Sequence, residues 1–211
     1  MKLIETYKSP NFDERRNKTC VKYIILHYTA MTNHLESLKH MCSKNNQVSS
    51  HFLINKKGEI HYLVDIKKRA WHAGISFWNG FTDLNSSSIG IEIDNSGHLL
   101  NFESFTRLQI KSLIYLINQI VKDYKICSHN ILGHSDIAPY RKIDPGEKFP
   151  WNQLNKNNLS YYPKSNIKKQ IKKEKQLKSN IILPNLKEKV LFMLKKIGYD
   201  TRKIKINSDK F

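Results

Sequence analysis

The strict alternation of residues 88–94, SIGIEID, constrains the fold more than any other stretch. It sets Ile89, Ile91 and Ile93 on one face of an extended segment and Gly90, Glu92 and Asp94 on the other. A strand of this kind needs a layer over its apolar face. Residues 106–124 supply one: Thr106 and Gln109 have the spacing of a capping box, and Ile110, Leu113, Ile114, Ile117, Ile120, Val121 and Tyr124 recur at helical spacing. Glu92, mid-strand beside a glycine, then points a carboxylate off a rigid element. A strand with one solvated face would carry the same pattern, so the carboxylate alone does not define a site.

The other segments read in the same terms. Residues 21–27, VKYIILH, form a β-branched and aromatic run that predicts a buried strand with His27 at its C-terminal end, where sites collect in α/β sheets. A helix is predicted over 33–44, with Asn33 as N-cap, Glu36 at the third helical position, and Leu35, Leu38, Met41 and Cys42 as its apolar face. Residues 51–54 and 60–64 flank NKKGE and predict a hairpin in which Gly58 takes the positive-φ position. RAWHAGISFWNGFTDLN is aromatic and without periodicity; it reads as a loop wall, with Trp71 and Trp78 lining a groove or, alternatively, packing on the sheet.

Composition sets limits. The chain has 211 residues, 39% of them hydrophobic, enough for one domain with a full core and an appendage. A mean hydropathy of -0.56 and the lack of a long uncharged apolar run exclude a membrane-spanning helix. The first residues have no apolar stretch of leader length, which sets a cytoplasmic expectation, with the periplasm or cell envelope as the alternative. Cys20, Cys42 and Cys127 form no CxxC pair, so neither a disulfide framework nor a thiolate metal site is indicated, and buried free thiols are expected. Of the 36 basic residues, 15 fall in 163–211 against 4 of the 18 acidic ones, so the net charge of +18 is concentrated in the tail. Such a tail suits an anionic polymer, or reflects a Lys-, Asn- and Ile-rich drift in composition; no nucleic-acid motif accompanies it, and no nucleic-acid partner is expected. NQLNKNNLSYYPKSN reads as a linker, IKKQIKKEKQLKSN as a solvated charge run, and residues 185–198 as a capped amphipathic helix with Leu186, Val190, Leu191, Leu194 and Ile197 on one side. That helix is too small to fold alone and is expected to dock on the main domain or on a partner.

Residues 131–151, ILGHSDIAPYRKIDPGEKFPW, carry a histidine, a carboxylate ten positions later and a lysine two residues before it, among prolines 139, 145 and 150. Imidazole and carboxylate are ordinary Zn2+ ligands, and a turn-rich loop can present them. With His27 and Glu92, the parts of a metal site are present. YIILHYTAM, VSSHFLINKKGEI, RAWHAGIS, NSSSIGIEID and GHSDIAPYRKIDPGEKFPW resemble, in order and spacing, the zinc-dependent N-acetylmuramoyl-L-alanine amidases of the amidase_2 family, AmpD- and AmiD-like.

The resemblance covers about residues 21–151. It implies an α/β fold with a central mixed β-sheet flanked by helices and the zinc in a groove at one sheet edge. It implies His27, His134 and Asp144 as Zn2+ ligands, Glu92 as general base and Lys142 as oxyanion stabiliser, with His51, Trp71 and His72 as groove residues or supports behind the ligands. It places a catalytic domain over 1–160, followed by a short basic helical extension over 161–211 that resembles the start of a peptidoglycan-binding module. The implied partner is peptidoglycan or an anhydro-muropeptide, cleaved between N-acetylmuramic acid and L-alanine in wall degradation or recycling. The alternative is a recognition module of the same fold that binds wall without cleaving it. Oligomeric state is open, and His34, His40, His61, His98 and His129 are expected to be surface or core histidines.

Overall fold

The computed structural model describes residues 3–16, 19–162 and 186–202. Six strands make one sheet: β1 (Leu3–Ile4), β3 (Tyr23–Tyr28), β4 (Phe52–Ile54), β5 (Ile60–Tyr62), β7 (Ser88–Ile93) and β8 (Ile131–Gly133), in the order β1-β5-β4-β7-β3-β8. Only β4 and β5 pair antiparallel, through the predicted hairpin; the remaining pairs are parallel, so the sheet is mixed as expected. Gly58 has φ +79°, and a Cβ there would stand 2.8 Å from the Leu108 carbonyl oxygen, so the turn needs glycine for both reasons. Two further strands, β2 (Phe12–Glu14) and β6 (Lys68–Ala70), form a separate antiparallel ribbon.

The sheet has two unlike faces. Helix α3 (Arg107–Tyr124) starts with the predicted capping box: Thr106 Oγ1 accepts from Gln109 N, and Gln109 Oε1 accepts from Thr106 N. Its apolar side covers Ile24 and Leu26 of β3, Phe52 and Ile54 of β4, and Ile89, Ile91 and Ile93 of β7, making the main core. On the opposite face two smaller apolar covers leave a gap. Helix α1 (His34–Cys42) packs Leu38 and Met41 on Leu53, while Trp78, Leu84 and Ile137 pack on Tyr23, Ile25 and Leu132. His27 and Glu92, directly paired in the β3–β7 register, lie on the gap between these covers. Asn33 caps α1 by accepting from Glu36 N, as predicted, but Leu35 is exposed and Ser37 takes a buried place instead.

Several expectations are corrected. The segment after residue 150 is no linker at its start: α5 (Trp151–Lys156) buries Leu154, and Leu159 follows it into the main core. Apolar spacing of five residues within an Asn-rich stretch hides that packing from the sequence. The aromatic loop contains the short helix α2 (Leu84–Ser87) and a β-bridge between Trp78 and Phe81, and Trp78 is buried in the second cover rather than lining a groove. The thiols are not buried: Cys20 and Cys127 are exposed on the segments that lead into β3 and β8, and Cys42 is half-buried.

Helix α6 (Leu186–Ile197) docks through its C-terminal end. Asn79 N donates to Gly198 O, the Tyr199 ring meets Trp78 edge-on, the Tyr199 hydroxyl donates to Asp136, and the Arg202 guanidinium lies over Phe77. Val190 and Ile197, predicted for the docking face, are exposed among the described residues. The Asn185 cap and the IKKQIKKEKQLKSN run lie outside those residues. No helix among them is long and apolar enough to cross a membrane.

Ile117 is fully buried where α3 meets the sheet. Ile117→Ala is expected to lower the unfolding free energy by about 2–5 kcal/mol, read from the urea midpoint at unchanged slope. A loss too small to resolve would contradict the packing of α3.

Candidate metal centre

Three elements deliver the donor atoms. His27 stands near the C-terminal end of β3, His134 opens α4 (His134–Ile137) at the end of β8, and Asp144 closes the loop that follows. Backbone hydrogen bonds fold that loop back on itself: Ala138 N donates to His134 O, Lys142 N to Ala138 O, and Ser135 N to Asp144 O at 2.9 Å. Residues ten apart in sequence thereby meet. His27 Nδ1 lies 2.9 Å from His134 Nδ1, and each lies 3.1 Å from Asp144 Oδ2. All three residues are buried, and among the described residues this is the group whose ligand atoms converge closely enough to hold a metal ion.

The hydrogen-bond partners around the histidines assign their protons as follows. The Ser88 hydroxyl donates to Leu84 O, so its oxygen accepts from His72 Nε2. His72 Nδ1 is then a lone pair and accepts from His27 Nε2 at 3.1 Å, which leaves His27 Nδ1 bare. His134 Nε2 stands 3.1 Å from Ala73 O and 3.3 Å from the Arg141 guanidinium, which itself donates to Ala73 O; with the Nε2 proton given to that carbonyl, His134 Nδ1 is bare as well. Two imidazole lone pairs and a carboxylate oxygen therefore face one another with no proton to join them. Burial, then the neighbouring His134, push the His27 pKa down to about 4, so His27 is neutral at pH 7. Three converging acceptors repel unless a cation lies among them, and this donor set fits a divalent metal.

The groove above the centre has a volume of about 410 Å³ and is bordered by α1 on one side and by residues 141–144 on the other. Glu92 and Lys142 both line it. Glu92 Oε2 is buried without a hydrogen-bond partner among the described residues. Burial holds the Glu92 pKa well above the usual carboxylate range; the charge of Asp144 adds to the rise, and Lys142 pulls against it.

The three expected groove residues separate. His72 lines the groove and supports His27. His51 does not reach it: its Nδ1 accepts from Gly90 N and its Nε2 donates to Lys68 O, fully buried behind His72. Trp71 also stands away, with its indole N–H given to Asp13 on β2. Residues not expected there are present. Tyr28 and His98 line the groove, joined by a 2.9 Å hydrogen bond, and His98 also contacts Glu147. Arg141 donates to Ala73 O and Ile75 O beside His134. Only the place of Arg141 next to Lys142 was a signal in the sequence; His98 sits in a loop without pattern.

A mixed sheet with two histidines at its strand ends, an aspartate on the loop that follows and a carboxylate beside them defines an α/β protein with a group that could hold a metal ion. Residues 16–147 match the family Amidase_2, N-acetylmuramoyl-L-alanine amidase, and the chain belongs to that family. It is 42% identical over 155 residues to the N-acetylmuramoyl-L-alanine amidase AmiD of Escherichia coli (strain K12), covering 68% of this chain and 55% of AmiD. It is 36% identical over 162 residues to the 1,6-anhydro-N-acetylmuramyl-L-alanine amidase AmpD of Haemophilus influenzae, covering 68% of this chain and 86% of that protein. The structure of E. coli AmiD with the substrate anhydro-N-acetylmuramic acid-L-Ala-D-γ-Glu-L-Lys superposes with a TM-score of 0.73 at 35% identity, covering 91% of this chain and 76% of AmiD. The matched sequence thus spans just over half the length of AmiD.

Burial, then the positive charge of Arg15, push His51 down to about 3, and burial with the neighbouring His27 and His51 pushes His72 well below its ordinary value. A histidine held neutral in the fold takes up a proton on unfolding. Its stabilising contribution is present above the ordinary pKa of 6.5 and is lost as pH falls through the window down to about 4 for His27 and about 3 for His51. Carboxyls with raised pKa, those of Glu92 and Asp94, act in the opposite sense, so the Glu92→Gln background removes the more strongly shifted of the two. In it the metal-free protein is expected to lose at least about 3 kcal/mol, the contribution of one such ring, between pH 7 and pH 4, measured by urea unfolding. Stability that stays flat or rises over that window would contradict neutral burial of these rings.

Proposed function

We propose that this chain is a zinc-dependent amidase that hydrolyses the bond between the lactyl group of N-acetylmuramic acid, or of its 1,6-anhydro form, and the L-alanine of the peptidoglycan stem peptide. The observation that carries this reading is the meeting, in one groove, of three bare ligand atoms with the unpartnered Glu92 carboxyl and Lys142. Family membership supports it, and the muropeptide bound to E. coli AmiD supports the substrate class.

Two imidazoles and one carboxylate suit Zn2+, held by His27, His134 and Asp144. Bound there, zinc polarises a carbonyl and makes water more acidic. Glu92 takes the proton of the attacking water, and the burial that raises its pKa makes its carboxylate a stronger base than one in solvent. The same carboxyl then delivers a proton to the departing amine of L-alanine. The Lys142 ammonium, on the tightly turned loop between His134 and Asp144, faces the negative charge that grows on the carbonyl oxygen; preorganised charge of this kind contributes about 3 kcal/mol. His72 and Ala73 keep the two histidines oriented throughout, which spares reorganisation during the reaction.

Incubation with anhydro-N-acetylmuramyl peptide and, separately, with intact wall is expected to release stem peptide, and the faster substrate identifies the physiological class. Chelation should abolish release and added Zn2+ should restore it. Glu92→Gln should keep the metal while lowering kcat by at least about 100-fold. Zinc-loaded wild type that releases no peptide from either substrate would overturn the proposal. Lys142→Ala should lower kcat about 100- to 1,000-fold with bound zinc unchanged; a loss confined to KM would move Lys142 from the reaction to substrate binding.

A further inference from the structure

Both metal-facing histidines take their tautomers from consecutive residues of one segment. The His72 ring receives the His27 Nε2 proton, and the Ala73 carbonyl receives the His134 Nε2 proton. What grips that segment is Asn85. Its Oδ1 accepts from His72 N at 3.0 Å and from Ala73 N at 2.7 Å, two adjacent backbone donors on one side-chain oxygen. Asn85 is itself buried and held. It belongs to α2, whose first turn is capped by Asp83, and Arg15 donates to the backbone carbonyls of Asn85 and Ser86 from below.

We propose that Asn85 is a positioning residue for the metal centre: by fixing the His72–Ala73 backbone from behind, it aims both acceptors that set the ligand tautomers. This rests on the metal reading of His27, His134 and Asp144. Among the described residues Asn85 supplies the side-chain acceptor for these two backbone donors, and both are enclosed, so a side chain without an acceptor leaves them unsatisfied. The segment then turns to find other partners, and the His72 ring and the Ala73 carbonyl move with it. A Cβ at Gly90 would stand 2.5 Å from His72 Cγ, so the ring lies directly against the backbone of β7 and tolerates little displacement.

Three proteins test this: wild type, Asn85→Asp, which keeps an oxygen at the accepting position, and Asn85→Leu, which removes it. Zinc affinity is read by competition with a chromophoric chelator. Asn85→Leu is expected to bind zinc about 10- to 100-fold more weakly than wild type, and Asn85→Asp to stay within about threefold of wild type. Equal affinity in Asn85→Leu and wild type overturns the proposal, as does an Asn85→Asp loss as large as that of Asn85→Leu. If Asn85→Leu does not fold, long-range 15N–1H spectra decide on the other two proteins without metal. His27 and His134 both protonated on Nε2 in wild type and in Asn85→Asp support the proposal, and either ring protonated on Nδ1 overturns it. Wild type that takes up no zinc fails the metal reading itself, which is distinguishable from all of these.

Discussion

The in-register parallel pairing of β3 with β7 is the constraint on which the site depends, because it alone sets His27 beside Glu92. Side chains alternate along both strands, so the pairing that sends Ile24, Leu26, Ile89 and Ile91 under α3 also sends His27 and Glu92 to the opposite face. A slip of one residue would drive an imidazole into the main core and an isoleucine into the groove. The apolar burial that stabilises the fold and the polar geometry that makes the centre are therefore consequences of a single register. Four central strands buried against α3 make that register costly to change.

Around this frame the protein gathers polar groups that would be unfavourable in a smaller site. Three fully enclosed or nearly enclosed imidazoles, those of His27, His51 and His72, form an edge-to-face series beneath the groove. Burial keeps them neutral, and neutral rings can pass hydrogen bonds in one direction, from His27 through His72 and Ser88 to the Leu84 carbonyl. The direction of that chain is what strips the proton from the metal-facing nitrogen. Low local polarity thus has two effects: it sharpens the attraction for a cation, and it raises the basicity of Glu92.

The C-terminal segment joins the same architecture from the far side. Tyr199 reaches Asp136, whose other carboxylate oxygen accepts from Gly133 N at the start of α4, the helix that begins with His134. The C-terminal helix, expected to dock on the main domain or on a partner, thus ends in a contact to a residue two positions from a metal-facing histidine. Its contacts are an aromatic edge, a backbone hydrogen bond and a cation over a ring, a mixture that no helical periodicity encodes.

Local pattern carried much of the fold. The period of two in SIGIEID, the period of 3.6 and the capping box of α3, and the glycine turn of the hairpin each depend on neighbours within a few residues, so they were legible before any tertiary contact was known. His27, Glu92, His134, Lys142 and Asp144 were also legible, as side chains on strand ends and on one turn-rich loop that resembled a family. What the sequence could not decide was contact between distant segments. Trp71 shares a motif block with His72 and His51 lies in an earlier one, yet the fold turns His51 to the Gly90 amide behind His72 and Trp71 to Asp13 on the β2–β6 ribbon. Asn85 opens the NSSSIGIEID block, but nothing in that block assigns it a partner, and its position under two backbone amides exists only after the chain closes over itself. By itself the sequence determined the central strands, the hairpin turn and α3, and the chemical groups they carry; tertiary packing alone decided which nitrogen of each imidazole is bare, since that depends on hydrogen bonds among segments far apart in the chain.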